Sequence, residues 1–191
     1  MPQINKNINK VGTGFAAFLS PPSPDVIRFT VGQPDFATPD AVVESAKAAL
    51  DRGETTYTRT QGSPALCQAV CDHLKEHEIV IDPDNIIVAP GCKQAVLYAM
   101  MATLDPGDEV LLLAPAWPSY DGMLKLIGAV PVHVPVRRDN YHPDFAALEK
   151  AVTANTKAIM INSPNNPTGA VYSPEEVERL VKLAVKHDLW I

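Results

Sequence analysis

At 191 residues the chain is long enough for one domain with a core of its own, or two very small ones, and folding at this size buries roughly 70% of the unfolded surface. Apolar residues make up 46% and charged residues 20%, which excludes a disordered tail, a collagen-like repeat and a coiled coil. Lys plus Arg number 16 against 22 Asp plus Glu; the formal net charge of −6 has the wrong sign for gripping a nucleic-acid backbone, so no nucleic-acid partner is expected.

Residues 1–27, rich in Asn, Gly, Ser and Pro and holding the cluster Pro21-Pro22-Ser23-Pro24, read as an arm without a core. Its apolar patch at 15–19 is too short for a signal-peptide core or for a membrane span of about 20 residues, so the expected location is the cytoplasm, with no membrane partner. Gly12-x-Gly14 has no strand before it and is not a dinucleotide fingerprint. Thr38 as N-cap and Pro39 at the first position predict a helix that runs through 41–50 to Gly53. Ser63-Pro64 repeats that signal for a second helix, where Cys67 and Cys71 share one face and read as core packing. With Cys92 they make an odd set without two-residue spacing, so neither a disulfide framework nor a metal site is expected.

Apolar runs follow. Residues 86–89 predict a strand, then come Gly91 and a helix over 94–104 that stops at Asp105-Pro106-Gly107-Asp108. Residues 110–114 predict a second strand and 120–127 a helix. Val130, Val132, Val134 and Val136 alternate with Pro131, His133 and Pro135, and two prolines that cannot donate to a ladder place this strand at an edge. A helix near 143–152 precedes the apolar run 158–161. The last helix starts with Ser173 as N-cap, Pro174 in the first turn and Glu176 three residues on, and it runs to His187. Leu189-Trp190-Ile191 opens a further apolar run. Strands apolar along their length, separated by amphipathic helices, mean an α/β fold: a mostly parallel sheet covered on both faces, with its ligand beyond the carboxyl ends of the strands.

Three loops at those ends hold ligand-type residues. Pro90-Gly91-Cys92-Lys93 turns from strand to helix, where free backbone N–H groups and the helix dipole suit a phosphate, although a packing turn fits as well. Trp117, held between Pro115 and Pro118, offers a flat face to a planar ring or a cap to the core. Asn162-Ser163-Pro164-Asn165-Asn166-Pro167-Thr168-Gly169 is either turn chemistry or a fixed amide aimed at a ligand. Taken together they describe a flat, phosphorylated, polar-edged cofactor.

The sequence resembles the fold-type I, pyridoxal-phosphate-dependent class I/II aminotransferases, nearest in pattern to the aspartate and aromatic transaminases. The resemblance runs from about Ile27 through Val31-Gly32-Gln33-Pro34-Asp35-Phe36, Tyr57, Gly91-Cys92-Lys93-Gln94-Ala95, Asp105-Pro106-Gly107-Asp108, Trp117 and 163–169. It implies pyridoxal 5′-phosphate as cofactor and transfer of an amino group between an L-amino acid, aspartate-like or aromatic, and a 2-oxo acid. Gly91, Cys92 and Lys93 would surround the phosphate, and Trp117 would stack on the pyridine ring. Asn166 would bond the phenolic oxygen and contact substrate, and Gly32 would meet the substrate α-carboxylate. Tyr57 would reach the phosphate of a neighbouring subunit, so a homodimer is implied. A Lys at the position of Lys93 pairs with an acidic substrate side chain in one branch, whose usual N-terminal pattern this chain lacks. Residues 1–35 would form the arm and the start of a small domain, and 36–191 the amino-terminal part of the large domain. The lysine, aspartate and arginine the family's mechanism needs would follow Ile191, and the three-layer sheet would be incomplete, with four strands and the start of a fifth out of seven. The chain is thus expected to be the amino-terminal half of a longer transaminase, inactive alone. A β-lyase or cyclopropane-forming synthase of the same fold, or a non-catalytic chain paired with a lysine-bearing partner, are the alternatives.

Overall fold

In the computed structural model the described residues are 6–11, 25, 27, 32 and 34–191. The expected N-terminal arm, with its Gly12-x-Gly14, apolar and Pro21-Pro22-Ser23-Pro24 features, lies mostly outside them. The chain forms two compact units, a helical one built from the described residues between 25 and 95 and a sheet unit of 6–11 with Val96–Ile191.

The helical unit holds α1 (Asp40–Asp51), α2 (Pro64–Lys75) and a 3-10 turn at Pro83–Asn85. Helix α1 starts one residue later than the sequence suggests: Pro39 occupies the cap position, its carbonyl accepts from the N–H groups of Val42 and Val43, and Thr38 does not cap. Ser63 does cap α2, its hydroxyl accepting from Leu66 N at 3.2 Å. Cys67 and Cys71 are buried, as core packing requires, and burial pushes the Cys71 thiol up. Residues 86–89 are not a strand. A strand exists through its ladder partner, and among the described residues this unit contains no other strand; the segment is tied by Val88 N to Gln61 O at 2.8 Å, with Ile87 left 70% exposed. Gly62 accommodates that contact, because at φ +121° any Cβ it carried would lie 2.7 Å from a Val88 methyl.

Helix α3 (Cys92–Thr103) opens in the helical unit and runs on into the sheet unit. There β1 (Glu109–Ala114), α4 (Pro118–Ile127), β2 (Val130–Pro135), α5 (Phe145–Ala151), β3 (Thr156–Met160) and α6 (Pro174–His187) follow one another. The sheet order is β2-β1-β3, all parallel, with Leu111 opposite Val132 on one side and Ile159 on the other. Four consecutive buried residues in β1 match its position at the centre of the sheet, and the proline-bearing β2 stands at an edge, as expected. The expected fifth strand is present as a single parallel bridge between Trp190 and Ala158, next to β3.

The sheet has a helical layer on each face. Leu111, Leu113, Val134 and Ile159 pack with Leu148 of α5 and Leu180, Leu183 and Ala184 of α6. Val110 and Leu112 face the other way, onto Met100 of α3 and Met123 and Leu124 of α4. Helix α6 begins with the expected capping box: Ser173 Oγ accepts from Glu176 N, and Glu176 Oε2 accepts from Ser173 N at 3.0 Å.

Glu176 also ties α6 to the segment after β2. Its Oε2 lies 2.7 Å from His142 Nδ1, and Arg137 donates to its Oε1 at 3.2 Å. Burial pushes this carboxyl up, but the Ser173 N–H, His142 and Arg137 outweigh it and hold the group below the ordinary carboxylate range. A carboxyl lowered on folding contributes stability above its unfolded value, about 4.3, and loses that contribution as pH falls through its folded value. Urea unfolding at stepped pH is therefore expected to show full stability above about pH 5 and an acid decline below it. Glu176→Gln should lower neutral-pH stability by about 1–2 kcal/mol and flatten that decline; an unchanged acid limb in the variant would count against this assignment.

Candidate cofactor site

Gly91 ends the extended segment 86–89 and sets the start of α3. Its φ of +95° lies in the region glycine enters freely, and an added Cβ there would meet no heavy atom within 4 Å. Gln94 and Ala95 both donate back to Gly91 O, at 3.1 and 3.3 Å, which closes the first helical turn over Cys92 and Lys93. Both side chains are exposed. An open, Cβ-free turn at a helix N-terminus offers backbone donors and a favourable dipole to an anion. The fit to a phosphate is therefore chemical as well as spatial.

In the sheet unit, the loops after β1 and β3 lie side by side because their strands are neighbours. Trp117 is the cap residue of α4; its half-buried indole packs against the Met100, Leu112 and Met123 side of the core. Tyr120 meets it edge to face, with ring centroids 5.3 Å apart and planes at 88°, which fixes the indole plane. After β3, Asn166 is exposed while its N–H donates to Asn162 Oδ1 at 3.2 Å. The turn closes through Gly169 N to Asn165 O and Asn165 N to Ala170 O, both 2.8 Å, with Gly169 at φ +73°. Ser163 Oγ accepts from Tyr172 N at 2.9 Å and anchors the loop toward α6.

Sequence reasoning did not single out Asn165. It is buried, and its amide donates to Pro115 O at 3.1 Å and Thr168 Oγ1 at 2.9 Å, so it bonds the Asn166 loop directly to the Trp117 loop. The Asn165-Asn166 pair was its only trace in the sequence.

Within the sheet unit, then, the structure brings together the loops of Trp117 and Asn166, and within the helical unit Gly91, Cys92 and Lys93 stand on one turn. Gly32 is exposed, and the Tyr57 side chain is fully so. No group of three or more His, Cys, Asp or Glu among the described residues is arranged to hold a metal, and no described helix is long and apolar enough to cross a membrane.

Comparison with known proteins bears on this arrangement. Residues 24–191 match the family described as Aminotransferase class I and II. The chain is 43% identical over 169 residues to an aspartate/prephenate aminotransferase of Thermus thermophilus, covering 87% of this chain and 44% of the relative. It is likewise 43% identical to an aspartate aminotransferase of Thermotoga maritima, covering 45% of that protein. The fold superposes on the aspartate aminotransferase from Thermus thermophilus with maleate at a TM-score of 0.89 and 37% identity, over 99% of this chain and 52% of that one. The chain thus spans about half the length of the relatives it matches. With the match running over most of its length, the chain belongs to the class I and II aminotransferase family.

Proposed function

We propose that this chain supplies the amino-terminal part of a pyridoxal-phosphate-dependent aminotransferase, which moves an amino group between an L-amino acid and a 2-oxo acid. The reading rests on one observation above all: the loops of Trp117 and Asn166, at the carboxyl ends of two adjacent parallel strands, are held to each other by Asn165. Bound pyridoxal phosphate would supply an electron sink for the bond changes at the substrate α-carbon. The chain's own residues bind and orient. Backbone N–H groups of Cys92 and Lys93 hold the phosphate, with Gly91, whose own N–H donates to Ala89 O, leaving the approach clear and the Lys93 ammonium nearby as countercharge. The Trp117 indole stacks on the ring and excludes water from one face. The Asn166 amide donates to the phenolic oxygen and so favours its ionised form. Gly32 meets the substrate α-carboxylate through its backbone.

The substrate class we assign is a dicarboxylic or aromatic amino acid. The names of the relatives, aspartate and aspartate/prephenate aminotransferases, support it, as does the maleate bound to the Thermus thermophilus enzyme. The full exposure of Tyr57 suits a side chain that reaches into a second subunit's site, so the active form is a homodimer. In this reading residues 1–35 are the arm and the start of a small domain, and 36–191 the first part of the cofactor-binding domain.

Alkylation tests the cofactor site. Cys92 is exposed at the proposed phosphate turn whereas Cys67 and Cys71 are buried, so iodoacetamide is expected to modify Cys92 selectively. Pyridoxal phosphate at ten times its dissociation constant should slow that reaction about 10-fold. A rate indifferent to the cofactor would contradict the site.

A further inference from the structure

We propose that Asn165 is a positioning residue for the cofactor: its side-chain amide locks the Asn166 loop onto the Trp117 loop, setting the spacing at which the indole and the Asn166 amide address one ring. The proposal rests on the reading of these loops as the pyridoxal phosphate site. The two adjacent asparagines divide the work between them. Asn166 is exposed and its side chain is left for a ligand, whereas Asn165 is 7% exposed and turned inward. Its backbone N–H and carbonyl close the turn with Ala170 and Gly169. Its amide then spends one bond within the turn, on Thr168 Oγ1, and one outside it, on Pro115 O, fifty residues back along the chain.

Of these two bonds, the one to Pro115 joins the loops. Pro115 is two residues from Trp117, and Asn165 is next to Asn166, so this one bond sits close to both ligand-facing groups. A planar ligand that stacks on the indole and accepts from the Asn166 amide needs both groups at a fixed separation. Loops free to shift independently would have to be ordered by the ligand, at a cost to affinity. Asn165→Asp keeps the shape but faces Pro115 O with a second acceptor, so the tie becomes a repulsion. Thr168→Val removes the internal bond, together with the one that Thr168 Oγ1 accepts from Ala170 N, and leaves the Pro115 tie in place, which makes it the control for simple loop destabilisation.

The experiment uses the full 191-residue chain. In a Trp190→Phe background, where Trp117 is the single tryptophan, Asn165→Asp should raise acrylamide quenching of its emission about 2-fold without ligand, and Thr168→Val should not. Equilibrium dialysis then measures pyridoxal phosphate affinity in a cycle with Trp117→Ala. Asn165→Asp is expected to weaken binding about 10-fold when Trp117 is present and less than about 2-fold when it is Ala, because residues that act through one another are not additive. If Asn165→Asp fails to fold, Asn165→Ser, too short to span to Pro115, is carried through the same measurements. Equal weakening in both backgrounds, or no change in either quenching or affinity, would overturn the proposal. A native chain that shows no saturable binding would overturn the cofactor site itself; increased quenching in Asn165→Asp would then show that the tie exists but serves the fold alone.

Discussion

Replacing Leu111 by Ala is expected to lower the free energy of unfolding of the sheet unit by about 2–5 kcal/mol. Leu111 is 0% exposed at the middle of β1, between Val132 and Ile159, and packs into the cluster that joins the sheet to α5 and α6. Truncation removes three carbons where the surrounding strands and helices are constrained on all sides, so the cavity persists and adds to the lost transfer energy. Against a total stability of about 5–15 kcal/mol, a loss of this size shifts the urea midpoint strongly. Val177→Ala, at a partly exposed position on α6, should change it by no more than about 0.5–1 kcal/mol. Comparable losses at the two positions would mean that β1 is not the centre of the core.

Gly91→Val is expected to weaken pyridoxal phosphate binding at least about 10-fold, with little change for pyridoxal, which lacks the phosphate. At φ +95° a β-branched residue is strained regardless of available space, at a cost of about 1–2 kcal/mol. The new side chain also fills the open side of the turn, where the structure has no protein atom within 4 Å of a Cβ. An anion held by backbone donors needs that approach to be clear. Dialysis with both ligands, alongside urea unfolding, separates a lost phosphate contact from a general loss of fold. Equal weakening of both ligands would contradict the assignment of this turn to the phosphate.

Much of the fold was legible because the chain signals it locally. Ser63 and Ser173 cap the helices they were expected to cap, and the continuous apolar run of β1 reflects burial on both faces of the sheet. The prolines of β2 correctly marked an edge. The segment 86–89 departs from the expected strand because an apolar run reports a tendency to be buried, whereas a strand also requires a partner. The offset at Thr38 has a simpler cause: Pro39 can stand at the cap as well as in the first turn. Trp117 and Asn166 were recognisable as candidates through position and chemistry. Asn165 was not, since two consecutive asparagines in a turn look alike until a contact fifty residues away buries one in the scaffold and leaves the other exposed.

The proposed cofactor site gives this chain a phosphate-binding turn, a ring-stacking indole and a fixed amide. Equilibrium dialysis of the unsubstituted 191-residue chain against pyridoxal phosphate and against pyridoxal measures whether it has them. Saturable, reversible binding with a preference of at least about 10-fold for the phosphorylated ligand is the predicted result. Absence of saturable binding, or equal affinity for the two ligands, would contradict it.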